Sequence, residues 1–259
     1  MTTHPDRPSA RRTLADMTWP EVRAESWLVV LLPWGATEPH NTHLPYGTDT
    51  LLGSTVPARV AARCAERDVP VLALPAVPFG VNTTQLDLPM VINMMPSTQR
   101  ALLADVIASV SPHGVRALVL LNAHGGNELR ALVRELQPGT SVLLVIVNWW
   151  QVGDARVFDD AGDHAGELET SAMLHVAPAL VAPRDQWSDG AARASVLTGV
   201  REGWAWLPRR WTQVTDDTGV GDPRAATAEK GAAFVAQAVE RLAGLCEELA
   251  VVDAGRLYE

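Results

Sequence analysis

Four short apolar runs, Trp27–Pro33, Pro70–Pro75, Arg116–Leu121 and Ser141–Asn148, constrain this chain more than any other feature of it. Each is rich in Val, Leu and Ile, and each gives way to Pro, Gly or polar residues. A run that is apolar almost throughout has no wet face, so it suits a strand covered on both sides. Between the runs lie stretches of helical composition. Thr50–Arg67 is rich in Ala and Arg, and Ser97–Ser111 opens with Ser-Thr-Gln-Arg, a candidate N-cap. Residues 127–136 follow a glycine pair, and Glu167–Val176 carries Met173 and Leu174 inward. The last, Pro223–Leu249, begins Asp222-Pro223, which reads as an N-cap followed by proline at the first helical position. Strand and helix alternate, so the expected fold class is α/β, a three-layer α/β/α sandwich with a mostly parallel central sheet. No repeat, low-complexity tract or linker divides the chain, which predicts one domain over residues 1–259 with residues 1–14 as a flexible tail.

Composition removes several function classes. The 259 residues are 47% hydrophobic, enough for a large core, and 30 acidic against 21 basic side chains give a formal charge of −9. An acidic surface with no basic stripe repels phosphates, so no nucleic-acid partner is expected. No stretch approaches the ~20 apolar residues that span a bilayer, so no membrane partner is expected either. The first twelve residues lack the apolar run of a secretory signal. Cys64 and Cys246 lie far apart and fit no zinc or redox spacing, so a reducing compartment and a cytoplasmic location are expected. Lys230, the single lysine, is given no role.

In parallel sheets ligands sit beyond the carboxyl ends of the strands, and the polar residues of interest follow the predicted strands. After the first run, twelve residues hold Glu38, His40, His43 and Asp49, in a loop stiffened by Pro39, Pro45 and Gly47. Glu38 and His40, two apart on extended backbone, project the same way. Imidazole with carboxylate suits Zn²⁺, Mn²⁺ or Fe²⁺, and the lack of Cys argues against a purely structural zinc. After the third run come Asn122, His124, Gly125, Gly126 and Asn127, readable as an imidazole beside exposed backbone N–H groups or as a tight strand-to-helix turn. Asp163-His164 and Glu167-Leu168-Glu169 open a predicted helix, where early acids also suit the macrodipole. Gln85, after the second run, and Trp149 and Trp150, after the fourth, are candidates to line a substrate pocket. His4, His113 and His175 are read as structural.

Taken together, the loop from Gly35 to Asp49, the turn from Asn122 to Asn127 and the helix start from His164 to Ser171 resemble the creatininase (creatinine amidohydrolase) family. The stretch from Gly221 to Gly231 is similar to that family's C-terminal pattern. The resemblance implies a homo-oligomer, often a hexamer, with two adjacent divalent ions, Zn²⁺ first among Zn²⁺, Mn²⁺ and Fe²⁺. Carried onto this chain, Glu38, Asp49 and His124 would hold one ion, and His40 with a bridging Asp49 and a further carboxylate the other. Creatininase proper places that carboxylate where Gly126 stands here, and members with a His-Gly-Gly turn use the glutamate of the Glu-Thr-Ser stretch, which is Glu169. Glu128 is the alternative. Pro39 and Asn41 replace the usual Gln and Gly. His164 is implied as the catalytic group that moves a proton to the leaving nitrogen. The implied activity is hydrolysis of a C–N bond, other than a peptide bond, in a small cyclic or linear amide. The alternative is a non-catalytic metal- or small-molecule-binding protein of the same fold.

Overall fold

The computed structural model describes residues 12–258. Its sheet has four parallel strands, β1 (Val29–Trp34), β2 (Val71–Ala73), β3 (Ala117–Asn122) and β4 (Leu143–Asn148), in the order β2-β1-β3-β4. The five long helices are α1 (Thr48–Ala65), α2 (Pro96–Val110), α3 (Leu129–Leu136), α4 (Glu167–Val176) and α5 (Ala228–Val251). Side chains of a strand alternate between faces, and that alternation sorts the core into two halves. Val29, Leu31, Val119 and Leu121 pack with Leu52 and Val56 of α1, Met173 of α4 and Phe234 of α5. Val30, Leu32, Leu118 and Leu120 pack with Leu103 and Ile107 of α2 and Leu129 and Leu132 of α3. Helices therefore cover both faces, which is why the runs read as apolar throughout rather than alternating.

Most element boundaries shift by a few residues from the sequence reading, and three of the differences have a clear cause. The helix α5 starts at Ala228, five residues after the proline, because Thr227 is the cap, its hydroxyl accepting from the Lys230 N–H at 3.2 Å. Asp222 instead accepts from the N–H of Arg224 at 2.9 Å in a local turn. Helix α2 opens at Pro96 with Met95 as its N-cap, so Ser97 lies inside the first turn. Of the expected tail, residues 1–11, with His4, lie outside the described residues. Residues 12–14 are packed: the Ala73 N–H donates to the Arg12 carbonyl at 2.8 Å, and the Arg12 side chain is ion-paired with Glu25. No helix among the described residues is long and apolar enough to cross a membrane.

Trp149 belongs to this core. It opens the short 3₁₀ turn after β4, is 1% exposed, and meets Phe234 edge-on with ring centroids 5.7 Å apart. The place expected for it in a substrate wall is taken by its neighbour Trp150 alone. Trp149→Ala is expected to lower unfolding free energy by about 3–5 kcal/mol, the cost of an emptied aromatic site. Chemical denaturation checks this, and a loss under 1 kcal/mol would place the ring outside the core.

Candidate metal centre

The polar residues converge beyond the carboxyl ends of β1 and β3. Glu38 and His40 lie on the loop after β1, Asp49 in the first turn of α1, and His124 just past β3. His164 precedes α4, and Glu169 lies in its first turn. Gly35 permits this approach: a Cβ there would stand 2.8 Å from the Thr50 nitrogen, pushing the start of α1 and Asp49 away.

Three imidazoles share one arrangement. His40 donates from Nδ1 to the Glu38 carbonyl at 3.0 Å and turns Nε2 to Asp49 Oδ1, also at 3.0 Å. His124 donates from Nε2 to the Val81 carbonyl at 3.1 Å and turns Nδ1 to Glu38 Oε1 at 2.8 Å and Asp49 Oδ2 at 3.1 Å. His164 donates from Nε2 to the Pro39 carbonyl at 2.9 Å, with Nδ1 3.8 Å from Glu38 Oε1. A backbone carbonyl thus fixes one nitrogen of each ring and aims the other at carboxylates, as the outer partners of metal-bound histidines do. Asp49 offers one oxygen to each of two opposed rings, Oδ1 to His40 and Oδ2 to His124. The ligand atoms of Glu38, Asp49 and His124 lie within 4.8 Å of one another, as do those of His40, Asp49 and Glu169 and of Glu38, His40 and His164.

Electrostatics follow from this packing. Burial opposes charge on His40, but Asp49 outweighs it and the imidazole is pushed up to about 10. Burial also opposes charge on His124, yet Glu38 and Asp49 raise it well above its ordinary value. Burial works to raise Glu38 and Asp49, while the histidines hold both below the usual carboxylate range. Glu169 goes the other way: burial raises it, and its Oε2 accepts the Ala165 N–H at 2.6 Å. Buried carboxylates and imidazoles that hold each other's charges in this way form a donor set that a cation can enter by displacing protons. The residues present therefore fit divalent ions with N and O ligands.

The remaining expected residues divide. Gln85 is buried in the cavity wall, but its amide Nε2 donates to Glu38 Oε2, so it orients a carboxylate. Its Oε1 stays without a partner. Trp150 lines the cavity, which measures about 630 Å³ and exposes Glu38, Asp49, His124, His164 and Glu169. His43 turns away: its Nε2 hydrogen-bonds Thr170 Oγ1 at 2.8 Å, and burial lowers it to about 4. Glu128 is exposed in the cavity wall and joins none of the ligand clusters among the described residues. Gly126 cannot carry a side chain here, since a Cβ would stand 2.3 Å from the Val81 carbonyl and 2.4 Å from His124 Nε2.

Several residues have roles here that the sequence did not assign. Asn127 accepts from the Val81 N–H at 3.1 Å and from Gln99 at 2.7 Å, and it donates to Asn122 at 3.0 Å, so it braces the peptide segment that holds His124. Trp211 stands edge-on to His164 at 5.3 Å, and Trp206, Leu207 and Arg209 join the cavity wall. Their signal was visible as five aromatic or basic residues from 204 to 211 in a stretch with no helix or strand pattern. Lys230 also has a place, its Nζ bound to buried Glu167, whose Oε2 accepts the N–H groups of Asp159 and Asp160 at 2.9 and 3.1 Å.

A family model described as Creatininase, creatinine amidohydrolase, matches residues 15–246. The chain belongs to the creatininase family. A putative creatinine amidohydrolase from Bacteroides fragilis is similar in structure, with a TM-score of 0.90 and 39% identity over 97% of this chain and 100% of that one. A mycofactocin precursor peptide peptidase of Mycobacterium tuberculosis is 33% identical over 83% of this chain and 84% of its own. Creatininase in a Mn form, and a variant of it in a Zn–Zn form, are 25% identical with TM-scores of 0.75 and 0.73 over 92% of this chain and 98% of theirs. The α/β/α architecture is thus the creatininase fold. Metal-dependent amide hydrolysis is what this family implies for the chain, and a relative that is a peptidase leaves both peptide and non-peptide bonds within its range.

Proposed function

We propose that this chain is an amidohydrolase using two divalent ions, Zn²⁺ or Mn²⁺, one held by Glu38, Asp49 and His124 and the other by His40, Asp49 and Glu169. The observation that carries this reading is Asp49, whose two oxygens face His40 and His124 separately. Bound there, such ions supply Lewis acidity and lower the pKa of water. The overall change is addition of water across an amide C–N bond, giving a carboxylic acid and an amine.

The chain's own residues supply orientation and proton movement. Gln85 and the carbonyls of Glu38 and Val81 hold the ligands in place. His164, fixed through Nε2 on the Pro39 carbonyl, presents Nδ1 to the cavity as the atom that takes up a proton and passes it to the leaving nitrogen. Ala165, at φ +51° in a region costly for a non-glycine residue, holds His164 in the turn, and the His164 N–H donates to the Val220 carbonyl at 3.0 Å. Trp211 shields the imidazole edge from water.

The test is amine release from creatinine, formamides and short peptides by the protein loaded with Zn²⁺ or Mn²⁺. His164→Ala is expected to lower kcat by about 10²–10⁴-fold with metal content unchanged. Loss of metal in that variant would make His164 a ligand, and no turnover by the wild type on any amide would overturn the reading.

A further inference from the structure

Resting on the amidohydrolase reading, we propose that the site selects amides carrying a free carboxylate beside a bulky apolar group, with Arg209 as the carboxylate anchor and Trp206 and Leu207 as the apolar wall.

Among the described residues Arg209 is the only Lys or Arg lining the cavity. Of the described acids lining the cavity, all but the exposed Glu128 are committed. Glu38, Asp49 and Glu169 belong to the ligand clusters, and Asp163 accepts from Arg209 Nη1 at 2.6 Å. The other N–H groups of the guanidinium make no hydrogen bond to the described residues. A planar guanidinium with open donors matches a carboxylate in two-point contact, and it does so better than it matches a neutral amide.

Its position is set by Trp211. That indole is 4% exposed and donates from Nε1 to the Thr218 carbonyl at 3.0 Å. The Arg209 guanidinium carbon lies 4.7 Å from the Trp211 ring, and the His164 ring lies 5.3 Å from it on edge. One indole therefore spaces the cation from the imidazole that serves the leaving group. An amide bond at the ions and a carboxylate at Arg209 then belong to one short linear molecule, whereas a compact neutral ring has no anionic group to offer the guanidinium.

The apolar half of the proposal comes from the mouth of the same cavity. Trp206 is 83% exposed and Leu207 is 37% exposed, yet both line it. Large apolar side chains left in water beside a cavity gain free energy when an apolar group of the ligand covers them. Together the rim and the cation describe a peptide-like end, an apolar residue with its carboxylate free.

The experiment uses two N-acetylated dipeptide analogues ending in leucine, one a free acid and one a carboxamide, with the peptide bond reduced to CH₂–NH and the integrity of both checked by mass spectrometry after each titration. Binding to the Zn²⁺-loaded protein is measured by calorimetry. The wild type is expected to bind the acid at least about tenfold more tightly than the carboxamide. Arg209→Gln is expected to bring that ratio to about one, Arg209→Lys to keep part of it, and Asp163→Asn to enlarge it. Trp206→Ala is expected to weaken both analogues alike. Equal binding or no binding of the two by the wild type, or a preference that survives Arg209→Gln, overturns the proposal. Because these ratios are read from binding, they stand apart from the turnover assay that tests amide hydrolysis.

Discussion

Asp49→Ala is expected to empty both cation positions at once and to reduce turnover to the blank. The carboxylate is the one ligand common to the two clusters, so its loss leaves Glu38 with His124 on one side and His40 with Glu169 on the other. Losing an outer partner of a ligand alone costs about 10–100-fold in metal affinity or activity, so losing a shared ligand is expected to cost at least about 100-fold in affinity. In the metal-free protein the same change removes the anion between two buried imidazoles, which stand 3.0 and 3.1 Å from its oxygens. Breaking a buried pair costs about 3–5 kcal/mol, so metal-free Asp49→Ala is expected to unfold at lower denaturant near pH 6. Metal content by elemental analysis and turnover are read on the same preparation. Full metal with full turnover would remove Asp49 from the centre.

The overall constant for loading both ions is expected to rise about 100-fold, and each ion's own affinity about tenfold, for each pH unit across neutrality. Near pH 7 the metal-free protein carries a proton on His40, pushed up to about 10, and on His124, raised well above its ordinary value. A cation takes the lone pair that each proton occupies, so loading releases about two protons. Calorimetry in buffers of different ionisation enthalpy counts them, and titrations at pH 6, 7 and 8 give the slope. The slope is expected to flatten as pH approaches the His40 value. The stability of the metal-free form and the increment that metal adds move in opposite directions with pH. The raised histidines stabilise the metal-free fold below the ordinary value of 6.5, and that contribution fades as pH climbs towards about 10. The depressed carboxylates of Glu38 and Asp49 stabilise it above their ordinary range, and that contribution is lost in acid. The Tm of the metal-free protein is therefore expected to fall from pH 6.5 towards 10 while the Tm rise produced by metal grows. Affinity independent of pH, with no proton release, would contradict the electrostatic account.

The strands and the positions of the candidate ligand residues were legible because both lie in local patterns, whereas the grouping of Glu169 with His40 and Asp49 was what the resemblance to the creatininase family implied. A strand buried on two faces has to be apolar almost throughout, and residues 29–34, 117–122 and 143–148 are. Glu38, His40, Asp49, His124 and Glu169 sit in short motifs just past strands or at helix starts, where a parallel sheet gathers its ligands. What escaped was set by contacts between distant segments. Trp149 and Trp150 are adjacent and chemically alike, and only the turn after β4 sends the first against Phe234 and the second to the cavity. The start of α5 hung on Thr227 competing with Asp222 as cap, a choice that the Asp222–Arg224 turn decides. Arg209 and Trp206 lie in an irregular stretch with no period to read, so their place in the cavity wall is visible only once Trp211 is seen lodged against His164. Lys230 was unremarkable until its ammonium was found on Glu167, whose other oxygen holds the loop leading to His164.

Anomalous diffraction from crystals loaded with Mn²⁺ or Zn²⁺ tests the central claim most directly. Two peaks per chain are expected on either side of Asp49, one touching Glu38 and His124 and the other His40 and Glu169. A single peak, or peaks that leave Asp49 out of contact, would contradict a shared-carboxylate centre.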